Sequence, residues 1–216
     1  MAASSKIVDL RSLLAERFPR PPAGSQLRIA TGLASLDKAT GGGLPKGAIT
    51  ELTSPEVSAG TALLIYHLLQ VAHQERYFLA LIDGHDSFDP HPLGNAQLQN
   101  LLWIRCAKAM EAVKAADLLL RDGNFPLVVL DLIMNATEEL RKIPPTSWYR
   151  LQRLVEPVPT AFLVLTRRSM ISSAQLKLVL ENNWTLQNLE ENDNFSRLKF
   201  QVERVHGGRQ EIMGAG

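Results

Sequence analysis

AITELTSPEVSAGTALLIYHLL, residues 48–69, runs from a β-rich segment through a turn of small residues into an apolar helical run that begins at Thr61. Strand, loop and helix in that order frame a phosphate-binding loop, G-x-x-x-x-G-K-[ST]. Its glycines let backbone N–H groups converge on phosphates, its lysine meets the terminal phosphates and its hydroxyl holds magnesium. Here the key residues are replaced: Ser54 stands at the first glycine, Ala59 at the second and Gly60 at the lysine, and only Thr61 keeps the expected type. Shifting the alignment by one to make Gly60 the second glycine still supplies no lysine. Loss of the lysine removes charge-assisted hydrogen bonds of roughly 1.5–3 kcal/mol each, together with the charge that stabilises a transferred phosphoryl group. Ala or Ser at a left-handed glycine position costs about 1–2 kcal/mol, so a loop with these residues is expected to adopt another shape. Ordinary ATP hydrolysis is therefore not expected and no cofactor is assigned; weak binding of ATP and magnesium stays open. The remnant cradle is placed at Ser54, Pro55, Glu56, Ser58, Gly60 and Thr61. In isolation the same residues also read as an ordinary strand-to-helix turn.

Outward from this stretch, short β-rich runs alternate with helical patterns, the mark of βαβ units closing a parallel sheet buried on both faces. Strands are predicted at 48–53, 77–83, 101–106, 126–132 and 161–166. Between them, residues 108–122 place Ala109, Val113, Ala116 and Leu120 on one helical face and Lys108, Glu111, Lys114 and Arg121 on the other. After Thr166 the pattern changes to a short predicted helix, SSAQLKLVL, then WTLQNLE and FSRLKFQVERV, with His206-Gly207-Gly208 as a turn into RQEIM. These last runs predict antiparallel strands extending one edge. The fold class is α/β, with a mostly parallel twisted sheet flanked by helices.

Ahead of the core, Ile7, Leu10, Leu14 and Phe18 recur at steps of three and four along one helical face, and prolines 19, 21 and 22 then force an extended connection. Residues 1–25 are read as a helical arm with a proline-rich linker and 26–216 as the core domain. An apolar stripe on an arm needs a surface to lie against, either on its own domain or on a partner. The 216 residues, 45% hydrophobic, suffice for one substantial core. With 23 Lys and Arg against 22 Asp and Glu, summed charge gives no reason to expect strong binding to nucleic acid or an anionic membrane. The single Cys106, in the apolar stretch LLWIRCA, reads as a small core residue in a reducing compartment. MAASSKIVDL lacks a signal peptide's apolar core, and no run approaches the ~18 apolar residues of a membrane span, so a cytoplasmic location is expected.

Upstream of the loop stands TGLASLDKATGGGLPKGAITEL, with Thr31, Gly32, Leu36, Asp37, Gly41 to Leu44, Pro45 and Gly47. This resembles the segment that leads into the phosphate loop of RecA-family recombinases and related ATPases. Pro55-Glu56 is similar to that family's loop, GPESSGKT, with its functional residues replaced. The resemblance implies that LIDGHDSFDP carries the second core strand and the loop of the water-activating glutamate, but His85 or Asp86 occupies that place. Asp83, His85, Asp86, Asp89 and His91 mix metal-binding residue types, yet no spaced partner cluster accompanies them, and no metal site is assigned. VVLDL resembles the Walker B strand, which makes Asp131 the metal-associated carboxylate of a vestigial site; a plain structural role for it stays equally open. Beyond Thr166, where the family has a phosphate-sensing glutamine and a glycine-rich DNA-binding loop, this chain has Arg167 and Arg168, the candidate DNA contacts.

Within that superfamily, LLWIRCAKAMEAVKAADLLLRDGNFPLVVLDL resembles the corresponding stretch of ImuA-type proteins, accessory factors of bacterial damage-induced mutagenesis, where LLWVRP, a helix and LRSGAFGLVVLDL occur with a degraded phosphate loop. Cys106-Ala107 departs from that pattern, which usually has a proline. The resemblance implies partnership with an ImuB-like inactive Y-family polymerase homologue and an error-prone replicative-type polymerase. It also implies contact with RecA or a second copy through the arm residues Ile7, Leu10, Leu14 and Phe18. The expected function is non-catalytic: association with proteins, and DNA as a further ligand, during translesion synthesis. Two alternatives stand beside it, a nucleotide-gated switch or weak ATPase in which Arg167 or Lys46 replaces the lysine, and a SulA-like cell-division inhibitor.

Overall fold

The structure, a computed structural model, describes residues 28–56, 60–181 and 198–205. The arm residues Ile7, Leu10, Leu14 and Phe18, the loop residue Ser58, the run WTLQNLE and the His206-Gly207-Gly208 turn lie outside the described residues.

The chain enters through β1 (Arg28–Ile29), α1 (Ala34–Thr40) and β2 (Leu44–Pro45), with β1 and β2 paired antiparallel. Asp37 fixes this entry: Oδ1 accepts the Thr31 N–H at 2.9 Å and the Thr31 hydroxyl at 2.7 Å, and Oδ2 accepts the Gly32 N–H at 3.1 Å. The T-G and L-D of the sequence are thus two halves of one clamp. Gly43, at φ 112°, passes so close to the Ile29 carbonyl that a Cβ would overlap its oxygen, and only glycine fits there.

The core follows as β3 (Ala48–Thr53), α2 (Thr61–Gln74), β4 (Leu79–Asp83), α3 (Asn95–Leu98), β5 (Leu101–Arg105), α4 (Ala109–Asp122), β6 (Leu127–Asp131), α5 (Thr137–Leu140), α6 (Pro145–Val155), β7 (Ala161–Thr166), β8 (Leu176–Glu181) and β9 (Lys199–Val205). Their strands form a seven-stranded sheet of order β5-β4-β6-β7-β3-β8-β9, parallel throughout except for the antiparallel β8–β9 pair. Both faces are covered, which is why β3, β4 and β7 are buried at every position rather than at alternate ones. On one face, Leu64, Ile65, Leu68 and Leu69 of α2 pack on Leu52, Leu81, Val129, Leu163 and Leu178. On the other, Ala112, Val113, Ala116 and Leu120 of α4 and Trp148, Leu151 and Val155 of α6 pack on Ile49, Ile82, Val128, Phe162 and Val164. Cys106 is buried in that second layer.

One predicted element is of the wrong type. SSAQLKLVL is not a helix: it delivers β8, which pairs parallel to β3 with Thr50 opposite Leu176 and Leu52 opposite Leu178. The period of two decides it, because Leu176, Leu178 and Leu180 are buried while Lys177, Val179 and Glu181 are not. The antiparallel extension is therefore β9 on β8. Among the described residues, no helix is long and apolar enough to cross a membrane.

Candidate functional site: the carboxyl edge of the sheet

Open α/β sheets take ligands outside the carboxyl ends of their parallel strands. At that edge the structure gathers the end of β3 with the loop from Ser54, the ends of β4 and β6 at Asp83 and Asp131, and the end of β7 with Arg167 and Arg168. Ser54 is buried and anchored: its N–H donates to the Thr166 carbonyl at 2.8 Å and its hydroxyl to the Glu56 carbonyl at 3.0 Å. Pro55 and Glu56 are exposed. Gly60 then caps α2 with φ 106° and ψ 13°, a left-handed conformation, and no described side chain caps that helix end. Thr61 opens the helix. An uncapped N-terminus keeps backbone N–H groups turned outward, the part of a phosphate cradle that does not depend on the lysine.

The carboxylates have divided roles. Asp83 is buried and spent on the loop that follows it: its oxygens accept the N–H groups of His85, Ser87 and Phe88 at 3.3, 3.0 and 2.8 Å. Asp131 lies directly beside it in register and accepts the Ile133 N–H at 3.0 Å. Burial pushes the Asp131 carboxyl up to about 6; the Ile133 N–H opposes the shift and the Asp83 charge adds to it. A carboxyl raised by enclosure beside a second carboxylate is in an environment that a divalent cation would relieve. Thr61 and Asp131 share this edge, with β7 between β3 and β6, so their strands are about 10 Å apart.

At the place of the water-activating residue, His85 is exposed and Asp86 is turned to the neighbouring strand. Asp86 holds Arg105 of β5 through two bonds of 2.5 and 2.6 Å, and the Arg105 guanidinium lies 5.1 Å from the centre of the Trp103 ring. Among the described residues, no three His, Cys, Asp or Glu side chains converge as a metal site.

The two cations offered as stand-ins for the lysine separate. Lys46 precedes β3, at the opposite end of a six-residue strand. That is about 20 Å from the loop. It is excluded as a lysine substitute because that span exceeds the reach of a lysine side chain. Arg167 and Arg168 follow β7 at the correct edge and are exposed.

A carboxylate outside the motif is Glu51, fully buried in the middle of β3. It accepts the N–H groups of Met170 and Ile171 at 2.7 and 3.0 Å and the Ser169 hydroxyl at 3.1 Å, and pairs with Lys177 of β8 at 2.9 Å. Glu51 thereby fixes the turn that carries Arg167 and Arg168. Its signal was present: a lone acid inside a strand otherwise buried on both faces needs partners.

Fold and loop together define an α/β protein with a mostly parallel sheet and a strand–loop–helix unit at its carboxyl edge. A family model described as the RecA N-terminal domain matches residues 25–141, more than half of the chain, and the chain belongs to that family. It is similar to Protein RecA of Frankia alni, 34% identical over 117 residues, 53% of this chain and 33% of that protein. Similar matches are Protein RecA of Nostoc sp., 34% identical over 108 residues, 49% of this chain and 30% of that protein, and of Chlorobaculum parvum, 35% identical over 109 residues, 49% and 31%. The aligned stretch thus spans about a third of the length of these curated relatives.

Proposed function

We propose that this chain is a non-catalytic RecA-like accessory protein of the bacterial DNA-damage response, acting in error-prone translesion synthesis by association rather than by nucleotide turnover. One observation carries the reading. The residue that caps α2, where the phosphate loop needs its cation, is a left-handed glycine, Gly60. The tie between Asp86 and Arg105 supports it further, since an ion-paired carboxylate is a weak base. The ImuA-like stretch from Leu101 to Leu132 supplies the biological context and with it the partners, an ImuB-like inactive polymerase homologue and an error-prone replicative-type polymerase, in the cytoplasm. Ile7, Leu10, Leu14 and Phe18 would contact a protein partner, RecA or a second copy, and Arg167 and Arg168 are the proposed DNA contacts.

The test is affinity purification of the full chain from cells after DNA damage, with mass-spectrometric identification of what is retained. Recovery of polymerases supports the proposal; a chain that retains none and hydrolyses ATP at an ordinary ATPase rate overturns it.

A second reading, an ATP-binding switch, is favoured by one arrangement: Thr61, Asp131 and Arg167 share a single sheet edge. Calorimetry with magnesium ATP separates the two readings. Micromolar binding by the unmodified chain favours the switch, and binding weaker than millimolar favours the accessory factor.

A further inference from the structure

On the α5–α6 side of the same edge lies a cavity of about 260 Å³, lined by Leu140, Ile143, Trp148 and Met170 with Arg141, Arg167 and Arg168. Leu140, Ile143 and Trp148 are almost wholly buried, so they form a floor under the opening rather than a projecting apolar face. The charged side chains among its described lining residues have one sign. Among the described residues no carboxylate belongs to the lining, Arg141 is paired with the exposed Glu138 at 2.7 Å, and neither Arg167 nor Arg168 forms an ion pair with a described residue. The turn that bears these two arginines and Met170 is also held in place from beneath by Glu51, through the Met170 and Ile171 N–H groups. A site whose backbone is already fixed loses little ordering entropy when a ligand arrives.

We propose that this groove docks an acidic peptide segment of a partner protein, with one large apolar side chain entering above Trp148 and flanking carboxylates meeting Arg167 and Arg168. Guanidinium groups suit carboxylates because their paired N–H donors match the two oxygens. Single-stranded nucleic acid would also meet the arginines, but it binds by stacking bases on exposed aromatic rings. The one aromatic residue among the described lining residues, Trp148, is 2% exposed. The inference gives a chemistry to the association reading above and rests on it, with Arg167 and Arg168 meeting a protein partner in place of DNA. It is tested on purified protein, so its outcome is separate from which proteins co-purify from damaged cells.

The probes are fluorescein-labelled peptides in which Leu, Phe or Trp is flanked by Glu and Asp, their Gln and Asn analogues, and an oligo-dT of similar length, each titrated against the full chain by anisotropy. The variants are Arg167→Glu with Arg168→Glu, and Thr137→Trp, which fills the groove from an exposed position at the start of α5. Thermal unfolding checks that each is folded. The expected result is binding of an acidic peptide that weakens at least tenfold in the neutral analogue, in the charge-reversed protein and in the filled one. Equal binding of acidic and neutral peptides overturns the proposal, as does indifference to the arginine changes. Tighter arginine-dependent binding of oligo-dT assigns the groove to nucleic acid instead. Binding that emerges only after Glu190, Glu191 and Asp193 are neutralised assigns it to this chain's own acidic segment.

Discussion

Asp86 and Arg105 bind each other at two points, Nε to Oδ1 at 2.5 Å and Nη2 to Oδ2 at 2.6 Å, joining the loop after β4 to the end of β5. The Arg105 guanidinium holds the Asp86 carboxyl below its ordinary value, so it accepts a proton from water poorly. On the proposed non-catalytic reading, two separate features oppose hydrolysis, the missing lysine and the ion-paired carboxylate.

Restoring the lysine alone is expected to restore binding without turnover. Gly60 has φ 106°, and lysine there carries about 1–2 kcal/mol of strain, so Gly60→Lys is best combined with Ala59→Gly. The predicted outcome for the double variant is at least tenfold tighter magnesium ATP binding by calorimetry, with phosphate release still at background. Rapid phosphate release would mean that the tie to Arg105 does not limit the chemistry.

Asp131 gives the protein an acid-side stability maximum at this site. Its carboxyl is raised from 3.8 to about 6, so between those values the folded state holds a proton that the unfolded chain has released. Stability contributed by this group is therefore full below pH ~4 and falls as pH rises through about 6. Linkage caps the loss at about 3 kcal/mol, and the partial exposure of Asp131 brings the expectation nearer 1–2 kcal/mol. Asp131→Asn keeps an acceptor for the Ile133 N–H and removes the titration. It should match the parent in urea unfolding at pH 4 and exceed it by about 1–2 kcal/mol at pH 7.5. Equal stability of the two proteins at both pH values would show that the carboxyl titrates normally.

The pair of Glu51 and Lys177 offers a test of buried charge. The two side chains are 0% and 12% exposed. Lys177→Met strands the carboxylate with only its backbone and hydroxyl donors. A loss of about 3 kcal/mol in chemical denaturation is expected. Adding Glu51→Gln should recover much of it, because no unpaired charge is then buried. Losses that simply add would mean that the two side chains act independently.

What could be read in the chain and what could not divides by the range of the interaction. LALID, LVVLD and AFLVLT declare themselves as strands by their near-continuous apolar runs, which a sheet covered on both faces needs, and AITELT by its place before the loop. Strand, loop and helix around Ser54, Gly60 and Thr61 follow from a contiguous motif. SSAQLKLVL misleads because two serines before Leu176 look like a helix cap, while the deciding fact, an edge of β3 waiting for a partner, lies more than 120 positions away in the chain. A similar distance hides Glu51, whose partners are residues 169–171 and 177, and a much shorter separation hides the groove, which brings Arg141 and Trp148 to Arg167. Lys46 errs the other way: it is near the loop in sequence, and the length of β3 carries it off.

The clamp of Asp37 on Thr31 and Gly32 assigns the T-G and L-D of the opening segment to architecture, which can be tested apart from any ligand. Asp37→Ala removes three bonds to a charged acceptor and leaves the buried Thr31 hydroxyl without that partner. Charge-assisted bonds are worth roughly 1.5–3 kcal/mol each, but water reaches part of the vacated site. A net loss of about 2–3 kcal/mol is expected. Because α1 is tied to the far edge of the sheet by the Ser35 hydroxyl on the Leu198 carbonyl at 3.1 Å, loosening should spread from Thr31 along α1 toward β9. Hydrogen exchange should therefore quicken at Thr31, Gly32 and through α1, while α4 and α6, on the opposite face, keep their protection. Uniform acceleration across both faces would show that Asp37 holds the whole domain rather than its entrance.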